Sequence, residues 1–154
     1  MTTKRKITIT ISWLLAGICM AIIFSLSHQP STESAELSIS VMNFVGIIFT
    51  EFIEAIGHDN FRSLAHALEY CGLALLLFNA FYHTFQKPRA LLSLAFSVLY
   101  SFTDEIHQIF IEGRAFQFID LAVDAAGSLA GIAAGYIIYV AIKHITKHRR
   151  GEKN

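Results

Sequence analysis

Residues Ile7 to Leu26 run for twenty positions without one charged side chain, and that run narrows the choice of fold more than any other feature of the chain. At a helical rise of about 1.5 Å per residue it reaches about 30 Å, the thickness of a bilayer's hydrocarbon core. Lys4-Arg5-Lys6 precedes it and Ser25-Leu26-Ser27 closes it. It is read as a membrane span rather than a cleaved leader. Composition agrees: 54% of the 154 residues are hydrophobic and the mean hydropathy is +0.51, beyond the ordinary range of soluble domains. Net charge is zero and no nucleic-acid motif is present, so nucleic acid is excluded as a partner. The lipid bilayer is the first partner expected.

Three further spans are expected at Leu64–Phe85, Ala90–Ile111 and Phe116–Ile142, the first two joined by Gln86-Lys87-Pro88-Arg89. The expected fold is thus an all-α membrane protein with four transmembrane helices, forming a single domain over residues 1–154. With four spans, Lys4, Arg5, Lys6, Lys87, Arg89, Lys143, Lys147, Arg149, Arg150 and Lys153 fall on one side, ten of the twelve cations. Lys and Arg near span ends are biased to the cytoplasm, so both termini are expected inside the cytoplasmic membrane. Only Arg62 and Arg114 fall outside, together with every acid except Glu152.

Between the first and second spans, Val41, Phe44, Val45, Ile48, Phe49, Phe52 and Ile56 recur at helical spacing, with Asn43, Glu51 and Glu54 off that stripe. This predicts an outward amphipathic helix, lying on the leaflet or capping the bundle. Pro30 and Ser31-Thr32-Glu33-Ser34 are read as the break before it. In the last span Gly127, Gly131 and Gly135 stand four apart, which permits close helix contact. Cys19 and Cys71 lie in apolar runs without metal or redox spacing, and are expected to pack.

The greasy spans nevertheless carry ionisable groups, all toward their outer ends. His66 and Glu69 sit in the second span, Asp104, Glu105 and His107 in the third, Asp120 and Asp124 in the fourth, with His28 and Gln29 at the mouth of the first. An ionised side chain facing lipid costs about 2.5 to 3.5 kcal/mol on insertion scales, so these groups should face inward. Spacing agrees: Arg62, His66, Glu69 and Tyr70 form one helical stripe, Asp104, His107 and Gln108 another, and Asp120 and Asp124 are one turn apart. Three chemistries fit the cluster. Carboxylates and imidazoles are ligands for a divalent metal, although the spacings Glu105–His107 and His66–Glu69 are weak and no metal ligand set is assigned. Glu105, His107, His66 and Asp120 are candidates for general acid/base work. Arg114 and Arg62, with Gln29, Gln108, Tyr70, Glu69, Asp104 and Asp124, are candidates for binding a phosphate or carboxylate, to which the planar guanidinium is suited.

These residues resemble the VanZ-like family of small, multi-span bacterial membrane proteins. The likeness is carried by Phe24-Ser25-Leu26-Ser27-His28-Gln29-Pro30, by Arg62-Ser63-Leu64-Ala65-His66 with Glu69-Tyr70, by Asp104-Glu105-Ile106-His107-Gln108 with Gly113-Arg114, and by Asp120 with Gly127 and Gly131. Two positions depart from the family pattern, which usually has Pro where Glu112 stands and Asn where Asp124 stands. The resemblance implies a cell-envelope role linked to low-level resistance to the glycopeptide teicoplanin, through binding or altering a lipid-linked or anionic envelope component. It implies no settled reaction. A metal-dependent intramembrane lipid hydrolase and a structural or accessory membrane subunit are the alternatives.

Overall fold

The computed structural model describes residues 2–56 and 58–151; the side chains of 38, 45–56, 58–59 and 149–151 fall outside that description. The described residues form five helices and no strand: α1 (Thr3–Ser27), α2 (Ser31–Ile56), α3 (His58–Phe85), α4 (Ala90–Gln108) and α5 (Phe118–Gly151). α3 lies at the centre, packed most extensively on α5, then on α1 and α4, and least on α2.

The burial pattern is that of a bundle solvated by lipid. α1 buries Ser12, Ala16, Ile23 and Ser27, one narrow stripe, and leaves Ile7, Ile11, Leu14, Ile18 and Ile22 exposed. α4 buries Ser93, Ser97, Ser101, Asp104, Glu105 and Gln108 while Leu91 is 79% exposed. In water this inside-out distribution would forfeit the hydrophobic drive to fold. In lipid it is the expected one, because small and polar side chains let helices approach and bond while large apolar ones face the acyl chains. Among the described residues three helices, Thr3–Ser27, Asn60–Phe85 and Phe118–His148, are long and apolar enough to cross a membrane.

The glycine spacing in α5 has the consequence its sequence foretells. A Cβ on Gly127 would collide with the backbone carbonyl of Ala67, and one on Gly131 with that of Cys71. Only a residue without a side chain lets α5 lie this close to α3. Gly135 faces the Phe78 ring, whose nearest carbon would be 2.8 Å from an added Cβ. Apolar packing fills the rest: Ala16, Ile23, Tyr70, Leu73, Leu77 and Phe81 make one core cluster, and Ala74, Phe78 and Ile132 a second. Both cysteines are free, and Cys19 packs against the first cluster.

α1 and α3 extend beyond the expected spans, to Thr3–Ser27 and His58–Phe85, and the bounds of α2, α4 and α5 also differ from the sequence reading. α2 starts at Ser31, so the Ser-Thr-Glu-Ser run is its first turn rather than a break. Pro30 stands just before it, where a missing N–H costs nothing, and its carbonyl accepts from Ser34 N at 3.0 Å. Of the expected apolar stripe on α2, Val41 and Phe44 are described and both are exposed; the side chains of Val45, Ile48, Phe49, Phe52 and Ile56, and of Glu51 and Glu54, lie outside the described residues. α4 stops at Gln108, not Ile111. There the backbone tightens into i→i+3 bonds, with Ile109, Phe110 and Ile111 donating to Ile106, His107 and Gln108, the usual way a helix end satisfies its last carbonyls. The chain then reverses at Gly113, whose φ of 72° is open to glycine at little cost. Finally, α5 starts at Phe118 and continues past Ile142 to Gly151.

Candidate functional site

Side-chain bonds at both ends of the bundle fix how the helices run. At the cationic end, Arg5 Nη2 donates to the Thr84 carbonyl at 3.0 Å and Trp13 Nε1 to Thr84 Oγ1 at 3.1 Å, joining the start of α1 to the end of α3. At the other end, Gln108 Nε2 donates to Ser27 Oγ at 3.2 Å, and His28 Nδ1 lies 3.1 Å from His107 Nε2, joining the end of α1 to the end of α4. Tyr100 bonds Met20 between these ends, its hydroxyl donating to the carbonyl at 2.6 Å. α4 therefore runs alongside α1, in the same direction and through the same layer. The polar groups of α1, α3, α4 and α5 meet at one level, as their spacing in sequence requires.

They do not all meet in one place. A cavity of about 530 Å³ opens between the end of α1, the first part of α2 and the N-terminal half of α3, within the usual ligand-pocket range of about 300–1,000 Å³. Of the residues singled out in the sequence, Gln29, Arg62, His66, Glu69, Asp104 and Arg114 line it. Its walls are apolar, with Leu37 and Val41 from α2 and Leu64 and Leu68 from α3, all partly exposed at its mouth. His66 Nδ1 lies 3.9 Å from Glu69 Oε2, one turn along α3.

Arg114 closes the cavity from the loop before α5. Its Nε donates to the backbone carbonyl of Gln29 at 3.0 Å, while Nη1 is buried without a hydrogen-bond partner. No carboxylate among the described residues lies within ion-pairing distance of it. Burial, and after it the nearby Arg62 guanidinium, pushes the Arg114 pKa down from its ordinary value, but a guanidinium starts so high that it stays charged at neutral pH. Across the cavity, Asp104 is 5% exposed, flanked by Ser27 and Gln108, and its Oδ1 also lacks a partner.

The other residues singled out in the sequence sit elsewhere. Glu105 is 1% exposed and its Oε2 accepts from the Gln117 backbone N–H at 2.8 Å, pinning the loop to α4. His107, about 100° around the helix from Gln108, turns away to join a cluster of three rings, stacked on His28 and tilted against Phe24. Asp124 accepts from Ser101 Oγ at 2.6 Å in the α4–α5 contact. Tyr70 is wholly buried, its hydroxyl beside Ser101 without a partner of good geometry. Gln108 is buried against Ser27, and Asp120 is half-buried on the first turn of α5, outside the cavity lining.

A profile described as VanZ/LLP1 matches residues 12–142, a stretch that takes in every side chain of this polar end. The chain belongs to the VanZ/LLP1 family. No curated protein and no solved structure matches it. Within this VanZ-type membrane protein, Ser97, Ser101, Gln117 and Ser128 are polar partners that the sequence reading missed. Ser97 and Ser128 share a hydrogen bond of 2.8 Å with both side chains fully buried. The signal was the repeat of serine every fourth residue from Ser93 to Ser101, which puts hydroxyls on one helix face. Among the described residues no three His, Cys, Asp or Glu side chains converge as a metal centre would require; the pairs His66–Glu69 and Glu105–His107 stay apart.

Proposed function

We propose that this VanZ-type protein is a four-span envelope protein whose polar end faces outward and binds a lipid or lipid-linked cell-wall component, contributing low-level protection against glycopeptides such as teicoplanin. One observation carries the binding role: Arg114, a cation held at the cavity with an unpartnered buried N–H. Burying a donor without a partner costs about 1–3 kcal/mol, and an anionic ligand oxygen would remove that cost. Binding is favoured over hydrolysis because Glu105, His107 and Asp120, three of the four acid/base candidates, lie outside the cavity lining, leaving His66 there with Glu69. The four-span arrangement is supported by the parallel course of α4 and α1, and by the nineteen residues of α4, about 28 Å of helix. The cation asymmetry supports an outward polar end with both termini in the cytoplasm.

The experiment compares teicoplanin susceptibility of cells carrying the parent, Arg114→Lys or an empty vector. The parent should protect. Arg114→Lys, which keeps the charge but loses the planar fork of donors, should protect less while accumulating normally. Equal protection by a well-expressed Arg114→Lys protein would remove Arg114 as the anion anchor.

A further inference from the structure

The charge pattern of the cavity specifies more than an anion. Its lining holds two guanidinium groups, Arg62 and Arg114, and two carboxyl groups, Glu69 and Asp104. A simple anion would satisfy the arginines and leave Asp104 as it is now, buried with one oxygen unpartnered. The two unpartnered atoms, Nη1 of Arg114 and Oδ1 of Asp104, are complementary: one offers a hydrogen bond to an anionic oxygen, the other accepts one from an N–H or O–H. A ligand satisfying both carries an anionic oxygen and an N–H or O–H donor, and with the carboxyl groups of Asp104 and Glu69 in the lining a cationic donor is the better match. Gln29, His66, Ser27 and Ser34 add uncharged polar groups to this part of the lining, and the apolar residues Leu37, Val41, Leu64 and Leu68 are exposed toward the surroundings of the bundle. The cavity thus offers a charged floor and a greasy exit.

We infer that the cavity holds the head group of a zwitterionic phospholipid bearing a primary amine, with its phosphate on Arg114 and Arg62, its ammonium on Asp104, and its acyl chains leaving past Leu37, Val41, Leu64 and Leu68. This rests on the reading above that the cavity is a binding pocket. Phosphate selects arginine for its paired donors, and the ammonium, a compact three-donor group, fits a carboxylate oxygen lacking a partner. About 530 Å³ accommodates a head group and the first part of the chains, the rest lying in the bilayer.

The test is native mass spectrometry of the detergent-purified full chain, titrated separately with phosphatidylethanolamine, phosphatidylglycerol, phosphatidic acid, diacylglycerol and water-soluble phosphoethanolamine. Phosphatidylethanolamine should be retained about tenfold more tightly than phosphatidic acid or diacylglycerol. Arg114→Gln should reduce it to the diacylglycerol level, and Asp104→Asn should erase the preference over phosphatidic acid. Val41→Trp, on an exposed wall where folding is least at risk, should block all lipids alike. Diacylglycerol bound as well as phosphatidylethanolamine overturns the phosphate contact; phosphatidylglycerol bound as well overturns the ammonium contact. Phosphoethanolamine bound as tightly as the lipid overturns the lipid assignment in favour of a soluble zwitterion. Cells that are protected by a protein showing no lipid preference overturn this inference alone, whereas a protein that selects the lipid but protects no cells overturns the resistance reading and leaves this one standing.

Discussion

Arg114 Nε donates to the Gln29 carbonyl at 3.0 Å, joining two loops 85 positions apart in sequence. The bond ties the turn before α5 to the end of α1. Beside it, Ser31 N donates to the Glu112 carbonyl at 3.2 Å, tying the same turn to the start of α2. The turn is therefore held by one side-chain bond and one backbone bond, and the Arg114 guanidinium is fixed through Nε while its buried Nη1 has no partner.

That geometry separates two effects of Arg114→Lys. The variant loses one hydrogen bond from a charged donor, about 1.5–3 kcal/mol at most, and the Ser31–Glu112 bond still holds the turn. Its thermal midpoint in detergent should fall modestly, with helical content by circular dichroism unchanged. Collapse of the helical signal would make Arg114 a folding residue first.

The α3–α5 contact predicts a graded glycine series. Gly127→Ala and Gly131→Ala each push a methyl group into backbone that cannot rotate away, so each should cost about 1–3 kcal/mol, the usual range for overpacking. Gly135→Ala meets a phenylalanine ring that can shift, and should cost less. Gly17→Ala meets nothing within 4 Å and should be neutral or slightly stabilising, since alanine is the better helix former. Thermal melts of the four variants in one detergent give the ranking, and a Gly127→Ala protein as stable as Gly17→Ala would contradict the close approach.

The helices and the level of the polar groups were legible in the sequence because both follow from period and depth: a charge in lipid is costly, so Glu69, Asp104 and Asp124 had to turn inward. Which of them share a cavity was not legible. Helical spacing fixes a side chain's direction to within a face, and His107 and Gln108, neighbours in sequence, diverge by enough to join different contacts. Glu105 shows a second limit. Its partner is the backbone N–H of Gln117, and a backbone donor leaves no mark in the sequence. The serine face of α4 was missed for another reason: serine is mild on every hydropathy scale, so Ser97 and Ser128 register neither as apolar nor as costly.

Asp124 offers a test of the buried α4–α5 contact. Asp124→Asn keeps an oxygen to accept from Ser101 and removes an acidic group from a fully buried site, so it should change stability by less than about 1 kcal/mol or raise it. Asp124→Leu leaves the Ser101 hydroxyl buried without its partner and should cost about 1–3 kcal/mol. Both are read from thermal midpoints in detergent. An Asp124→Asn protein as damaged as Asp124→Leu would mean that the carboxyl group itself, rather than the bond to Ser101, is what the site requires.

The course of α4 makes the strongest prediction about topology. If only α1, α3 and α5 crossed the membrane, α4 would not carry the chain across, and the C-terminal end of α5 would emerge opposite the N-terminus. The bonds from α4 to both the middle and the end of α1 argue against that, as does the cation asymmetry. In a background with Cys19 and Cys71 replaced by serine, single cysteines at positions 32 and 60 should react with a membrane-impermeant maleimide on intact spheroplasts. Lys87→Cys and Lys147→Cys should react only after permeabilisation. The two lysine positions distinguish the ways of being wrong: labelling of 147 but not 87 from outside would leave α1 and α3 crossing and reduce the bundle to three spans, whereas labelling of 87 would reverse α3 and remove the outward-facing cavity altogether.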